Sequence, residues 1–276
     1  SNSMNKSIKI GGASGFWGDS VIATPQLLNG NKLDFIVYDY LAEITMSIMA
    51  RARAKDSTKG YAVDFVSSVL KLNLKQIADQ KIKILSNAGG VNPVACAEAI
   101  RELVKELNLD LNVSVVLGDD LIDKKDQFYK LQIKEMYSND LFPQEEKIAS
   151  INTYLGAFPI AKALSEGADI VITGRSVDSA VTLGACIYKF GWNENDYDKL
   201  ASGSLAGHII ECGTQSTGGN FTDWELVSKN LHEIGYPIVE VSDNGSFICT
   251  KSKDTAGMVS FGTVAEQMLY EIGDPQ

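Results

Sequence analysis

Five short runs of β-branched and aliphatic residues constrain the fold of this sequence more than any other feature. They are Ile8-Lys9-Ile10, Phe35-Ile36-Val37-Tyr38, Ile82-Lys83-Ile84-Leu85, Val113-Ser114-Val115-Val116-Leu117 and Ala168-Asp169-Ile170-Val171-Ile172-Thr173. Strands covered on both faces read this way, nearly continuous in apolar character. Helical patterns separate them: Leu41 to Lys55, Tyr61 to Gln80, Asn92 to about Leu107, and Asn152 to Glu166. Pro93 suits a first helical position and Gly167 a C-terminal cap. The alternation predicts an α/β fold: a mainly parallel sheet with helices on both faces, Rossmann-like. Leu121 to Ile151 exceeds a simple connection and reads as an inserted helix and loop over the site.

After Asp178 the pattern changes. Ala180 to Phe190 and Leu200 to Cys212 read as helices, and Asn244-Gly245 between two apolar runs signals a β-hairpin. Ser260 to Ile272 reads as a final helix. The expected organisation is an α/β domain over 5–235 with a glycine-rich ligand turn. A hairpin-plus-helix extension, or a truncated further domain, follows over 236–276.

The stretch Gly11 to Ser20, GGASGFWGDS, follows the first strand signal and precedes an amphipathic run. Strand, glycine turn and helix together present backbone N–H groups at a helix N-terminus, where an anion is stabilised. Gly12, Gly15 and Gly18 fall at three-residue spacing, and Ser14 lies between the first two. A tight turn that binds nothing explains the same residues.

Ligands of open α/β sheets bind beyond the carboxyl ends of the strands. All five ends here carry small or polar residues: Gly12-Ala13-Ser14, Asp39-Tyr40, Ser86 to Gly90 with Asn92, Gly118-Asp119-Asp120, and Thr173-Gly174-Arg175 with Asp178. Asp39 suits a ribose hydroxyl or the cap of the following helix. Asn87 and Asn92 suit a ligand carbonyl or the Gly89-Gly90 turn. Arg175 suits a bidentate clamp on a carboxylate or phosphate, or an ion pair with Asp178. Gly174 would leave room for a ligand beside it.

His208 and Glu211 share one helix face and suit proton transfer, as does Asp119. Cys212 is a nucleophile candidate, though burial as a small hydrophobe explains it better. The loop Gly213 to Asp223 is rich in glycine and hydroxyls; Thr217, Gly218, Gly219 and Asn220 are its candidate ligand residues, and it is expected to approach the first glycine turn. His208 and Glu211 would also suit a metal pair, but a single H-x-x-E is common by chance and no metal site is expected.

Several classes are disfavoured. A net charge of −10 argues against nucleic acid and anionic membranes, while one local cationic pocket would still admit an anionic ligand. No apolar run reaches the roughly 18 residues of a membrane span. Four scattered cysteines without a C-x-x-C pair suit a reducing cytoplasm. Ser1-Asn2-Ser3 before Met4 reads as an expression scar, not a leader. No Tyr-x-x-x-Lys exists, since Tyr154 is followed by Phe158 and Tyr188 by Trp192; hydride transfer of the short-chain dehydrogenase type is disfavoured. P-loop and G-x-S-x-G strings are also absent.

Longer stretches carry a resemblance: GGASGFWGDS (11–20), YDYLAEITMSIMARAR (38–53), SNAGGVNP (86–93), NTYLGAFPIAKALSEGADIVITGRSVDSA (152–180) and AGHIIECGTQSTGGNFTDW (206–224). Together they resemble the N-terminal domain of the acyclic terpene utilisation protein family. The resemblance implies bacterial degradation of isoprenoid or branched acids through acyl-CoA thioesters, often beside an acyl-CoA carboxylase, without a settled reaction. Relatives usually continue past the stretch like LYEIGDP (269–275), which implies a short form here. The expectation is an enzyme acting on a small acyl-CoA or branched acid, by lyase, hydratase or acyl-transfer chemistry. No cofactor is fixed, and a CoA thioester is a substrate candidate. The alternative is a noncatalytic binding or scaffold module that partners an acyl-CoA carboxylase. A homo-oligomer is compatible with either.

Overall fold

The computed structural model describes residues 6–14, 19–40, 43–117, 144–174, 180–214, 236–251 and 259–261. The strands are β1 (Ser7–Ser14), β2 (Phe35–Asp39), β3 (Lys83–Ser86), β4 (Val113–Val116), β5 (Ile170–Thr173), β6 (Pro237–Ser242), β7 (Phe247–Lys251) and β8 (Val259–Phe261). The helices are α1 (Asp19–Leu28), α2 (Glu43–Lys55), α3 (Lys71–Asp79), α4 (Pro93–Glu106), α5 (Gln144–Ser165), α6 (Val181–Phe190) and α7 (Tyr197–Thr214). A π-helical segment, Phe65–Leu70, leads into α3.

One eight-stranded sheet runs in the order β4-β5-β3-β2-β1-β6-β7-β8. The five strands read from the sequence pair in parallel. The hairpin strands β6 and β7 continue the sheet antiparallel, with β6 against β1. The fold is thus α/β with a mostly parallel, mixed sheet, and its order is not the 3-2-1-4-5-6 of the dinucleotide fold. The hairpin turn carries Gly245 at φ 92°, and Trp192 Nε1 donates to Asp243 O at 2.9 Å beside it.

Handedness explains the layers. Parallel crossovers are right-handed, so the helix side depends on the direction in which the chain moves across the sheet. From β1 through β2 and β3 to β4 the chain moves one way, and α1–α4 pack on one face with Ile36, Tyr38, Ile84, Ile170 and Ile172. From β4 it steps back to β5, and α5–α7 cover the other face with Ile10, Val37, Leu85 and Val171. Two-residue alternation along each strand feeds both cores.

Two expectations need correction. Ser260 and Phe261, read as the start of a final helix, belong to strand β8, which pairs with β7. The helix expected from Asn152 begins at Gln144, inside the stretch read as an insertion. Among the described residues, no helix is long and apolar enough to cross a membrane.

Candidate functional site

Three strand ends build a polar row at the carboxyl edge. Val37 pairs with Leu85, and Leu85 with Val171, all in the α5–α7 core. Two residues further on stand Asp39, Asn87 and Thr173, so the three share that face on neighbouring strands. Ser14 is in register with Asp39 on β1.

Asn87 organises the row. It is only 3% exposed, and its Nδ2 donates to Asp39 Oδ1 at 2.8 Å while its Oδ1 accepts from Tyr40 N at 2.7 Å. Ser86 Oγ donates to Tyr38 O at 2.8 Å and fastens β3 to β2. A small cavity opens above, lined by Ala13, Val37, Asp39 and Asn87 of the sheet, Val181 and Thr182 of α6, and Gly207, Ile210 and Glu211 of α7. Its volume is ≈ 10 Å³, room for about one water.

Helix α7 brings Glu211 here because it lies on its apolar side. Ala206, Ile209 and Ile210 are buried against the sheet, which sets the rotation of the helix. Glu211 then reaches the cavity, whereas His208 is exposed and is not among the lining residues. Crowding by the fold still desolvates the His208 imidazole and lowers its pKa; water keeps that effect small on an exposed ring. Asp39 and Glu211 thus place two carboxylates from different elements on one cavity, an arrangement suited to acid–base work.

Other candidates serve the fold. Asn92 caps α4, its Oδ1 accepting from Ala95 N at 3.4 Å, and its Nδ2 donates to Ser57 O and Lys59 O at 2.8 Å each. Those bonds occupy its amide, so the ligand-carbonyl reading loses its donor. Within the Gly89-Gly90 turn, the N–H groups of Gly89, Gly90, Val91 and Asn92 all donate to backbone carbonyls. Gly12 is where α7 lands: a Cβ there would overlap Ile210 Cγ2 and lie 3.3 Å from Pro237 Cγ. The space beside Gly174 is taken by the Gly90 carbonyl, 2.8 Å from where a Cβ would stand, and not by an open ligand path.

Gly15, Gly18, Asp119, Arg175, Asp178, Thr217, Gly218, Gly219 and Asn220 lie outside the described residues, as does the predicted approach of the two glycine-rich loops. Only the backbone is described at Ser14 and Cys212. Cys96, Cys186 and Cys249 are buried free thiols, and burial pushes the first two up in pKa, so both are inert at neutral pH. Among the described residues, no three His, Cys, Asp or Glu side chains gather as a metal site.

The reading of strand ends missed Thr182, which enters from a helix N-terminus and has no strand-end signature. It named Thr173 only in passing. Thr173 is fully buried, and its Oγ1 has no hydrogen-bond partner among the described residues.

A family model described as acyclic terpene utilisation family protein AtuA matches residues 8–276. The chain belongs to this family. Its membership, which bears out the resemblance, links it to terpene utilisation. No curated protein and no solved structure matches the chain.

Proposed function

We propose that this member of the acyclic terpene utilisation family is an enzyme acting on a small acyl-CoA or a branched or isoprenoid acid derivative. The carboxyl-edge cavity between the sheet and α6–α7 is its working site. One observation carries the reading: Asp39, oriented by Asn87, and Glu211 line the same cavity. A parallel sheet leaves its ligand crevice at this edge. Two carboxylates with different surroundings are suited to moving a proton to and from a carbon beside a carbonyl, as hydration and carbon–carbon cleavage require. Glu211 is the proton-transfer group and Asp39 holds a substrate oxygen function. His208, three residues earlier on α7, is exposed and does not line the cavity.

The test is proton exchange. The protein is incubated in deuterium oxide with a 3-methyl-branched acyl-CoA, and deuterium at the α-carbon is followed by mass spectrometry. Catalysed exchange that disappears in Glu211→Gln, with thioester binding retained, supports the reading. Binding without exchange or turnover in the wild-type protein refutes catalysis and favours a binding module.

A further inference from the structure

We infer that the carboxyl-edge cavity seats one water molecule between Asp39 and Glu211, and that this water adds to an α,β-unsaturated acyl thioester. The inference rests on the proposed function and deepens it. Of the reactions open to two carboxylates it selects hydration, and it names the substrate class as a 2-enoyl thioester.

Size decides the occupant. The cavity holds ≈ 10 Å³, and a single water needs about 10–15 Å³ of such space. A second heavy atom has no room, so an alcohol or a carboxylate cannot take the place. Polarity decides whether the space is wet. Apolar cavities stay dry, whereas a buried water asks for two to four polar partners. Four polar side chains from four parts of the fold line this cavity: Asp39 at the end of β2, Asn87 after β3, Thr182 of α6 and Glu211 of α7.

The hydrogen-bond roles also match. Water has two O–H donors, and two ionised carboxylates are acceptors only. Asn87 Nδ2 donates to Asp39 Oδ1 at 2.8 Å, which fixes that carboxylate at the cavity wall. A carboxylate has about four lone-pair sites, so this bond leaves Asp39 able to accept from the water as well. Asn87 is itself held, because its Oδ1 accepts from Tyr40 N at 2.7 Å. Glu211 reaches the water from the opposite wall, on a helix whose rotation the buried Ile209 and Ile210 set. The water is thus oriented by a fixed carboxylate and touches a second one that can take its proton.

The step balances with these groups alone. In a 2-enoyl thioester the β-carbon is the electrophile, because its double bond is conjugated with the thioester carbonyl. The water oxygen forms a bond to the β-carbon while Glu211 takes one of its protons. The π pair of the double bond moves onto the thioester as an enolate. The enolate then takes the proton from Glu211 at the α-carbon, which restores the carboxylate and the carbonyl. One water has been added across one double bond, with no oxidant or reductant. The new β-hydroxyl remains at Asp39, the position the proposed function gives to a substrate oxygen. Dehydration is the same path in reverse.

The experiment supplies 3-methyl-2-butenoyl-CoA in ¹⁸O-labelled water and follows the products by mass spectrometry. The expected product is the 3-hydroxy thioester with one ¹⁸O at the β-carbon and the thioester intact. Glu211→Gln and Asp39→Asn, both near-isosteric, should each slow hydration roughly a hundred-fold or more, the usual share of a positioned acid–base group. Melting curves and thioester affinity should stay close to the parent's. A crystal structure of the protein should show a water within hydrogen-bond distance of both carboxylates. Label in a released free acid would mean thioester hydrolysis and overturn the inference. So would hydration that ignores Asp39→Asn, or a cavity without water. Deuterium exchange at the α-carbon of the saturated thioester with no hydration of the unsaturated one sinks only this inference. Neither exchange nor hydration, with both thioesters bound, refutes the catalytic reading itself.

Discussion

Replacing Gly12 with alanine separates a ligand glycine from a packing glycine. An added methyl would overlap Ile210 Cγ2 and stand 3.4 Å from Ile210 Cβ and 3.3 Å from Pro237 Cγ. Ile210 is 3% exposed and β-branched within a helix, so it has little freedom to rotate away. Overpacking of this kind costs about 1–3 kcal/mol. Alanine in a strand recovers about 0.5–1 kcal/mol of backbone entropy, which offsets part of that. The net loss expected is about 0.5–2 kcal/mol, near 2–4 °C in Tm per kcal/mol for a chain of this size. The decisive comparison is with Ile210→Ala, alone and combined with Gly12→Ala, by thermal and urea unfolding. Ile210→Ala alone should cost about 2–5 kcal/mol. The double variant should be more stable than the sum of the singles by about 1 kcal/mol, because the new methyl occupies space the isoleucine vacated. Strict additivity would refute the claim that α7 landing on β1 dictates the glycine.

Three further outcomes follow from single groups. Thr173→Val keeps the shape and removes the orphaned hydroxyl, so the unliganded protein should gain about 1–2 kcal/mol in urea unfolding; a loss would mean the hydroxyl has a partner such as bound water. Asn92→Ala removes the α4 cap and leaves Ser57 O and Lys59 O without its amide, for a destabilisation of about 1–3 kcal/mol by the same measurement; no loss would contradict its structural role. His208 has a lowered pKa in the fold, so the unfolded state takes up protons first. Its contribution to stability is complete above the ordinary value of 6.5 and declines as pH falls through the lowered folded value. Melting curves of His208→Gln should show less loss on acidification through that window than the parent protein, and an identical pH profile would contradict the desolvation.

The parallel half of the fold was legible because its signals are local. Short apolar runs separated by amphipathic helices admit few arrangements, and all five such runs became strands β1–β5. The carboxyl-edge rule then put Asp39 and Asn87 at one place, and the hydrogen bond between them lies there. What the sequence could not supply is contact across distance. Nothing local shows that β6 pairs with β1, although Ile10 and Val239 face each other across 229 positions in sequence. Gly12 looked like a ligand glycine because Ile210, the side chain it accommodates, is remote in the chain. His208 and Glu211 share a helix face by spacing alone, yet the burial of Ile209 and Ile210 sets the rotation that brings Glu211 to the cavity. Val259–Phe261 became strand because β7 offered a free edge, which no propensity over three residues could indicate.

Ligand location is the most direct test of the central claim that the carboxyl edge is the working site. Hydrogen exchange followed by mass spectrometry, with and without a saturating 3-methyl-branched acyl-CoA, reads it peptide by peptide. The account predicts new protection in peptides covering 35–40, 84–90, 181–186 and 205–211, and little change at 29–34 and 107–112 on the opposite sheet edge. Protection confined to 29–34 and 107–112, with the carboxyl edge unchanged while the ligand is bound, would contradict it.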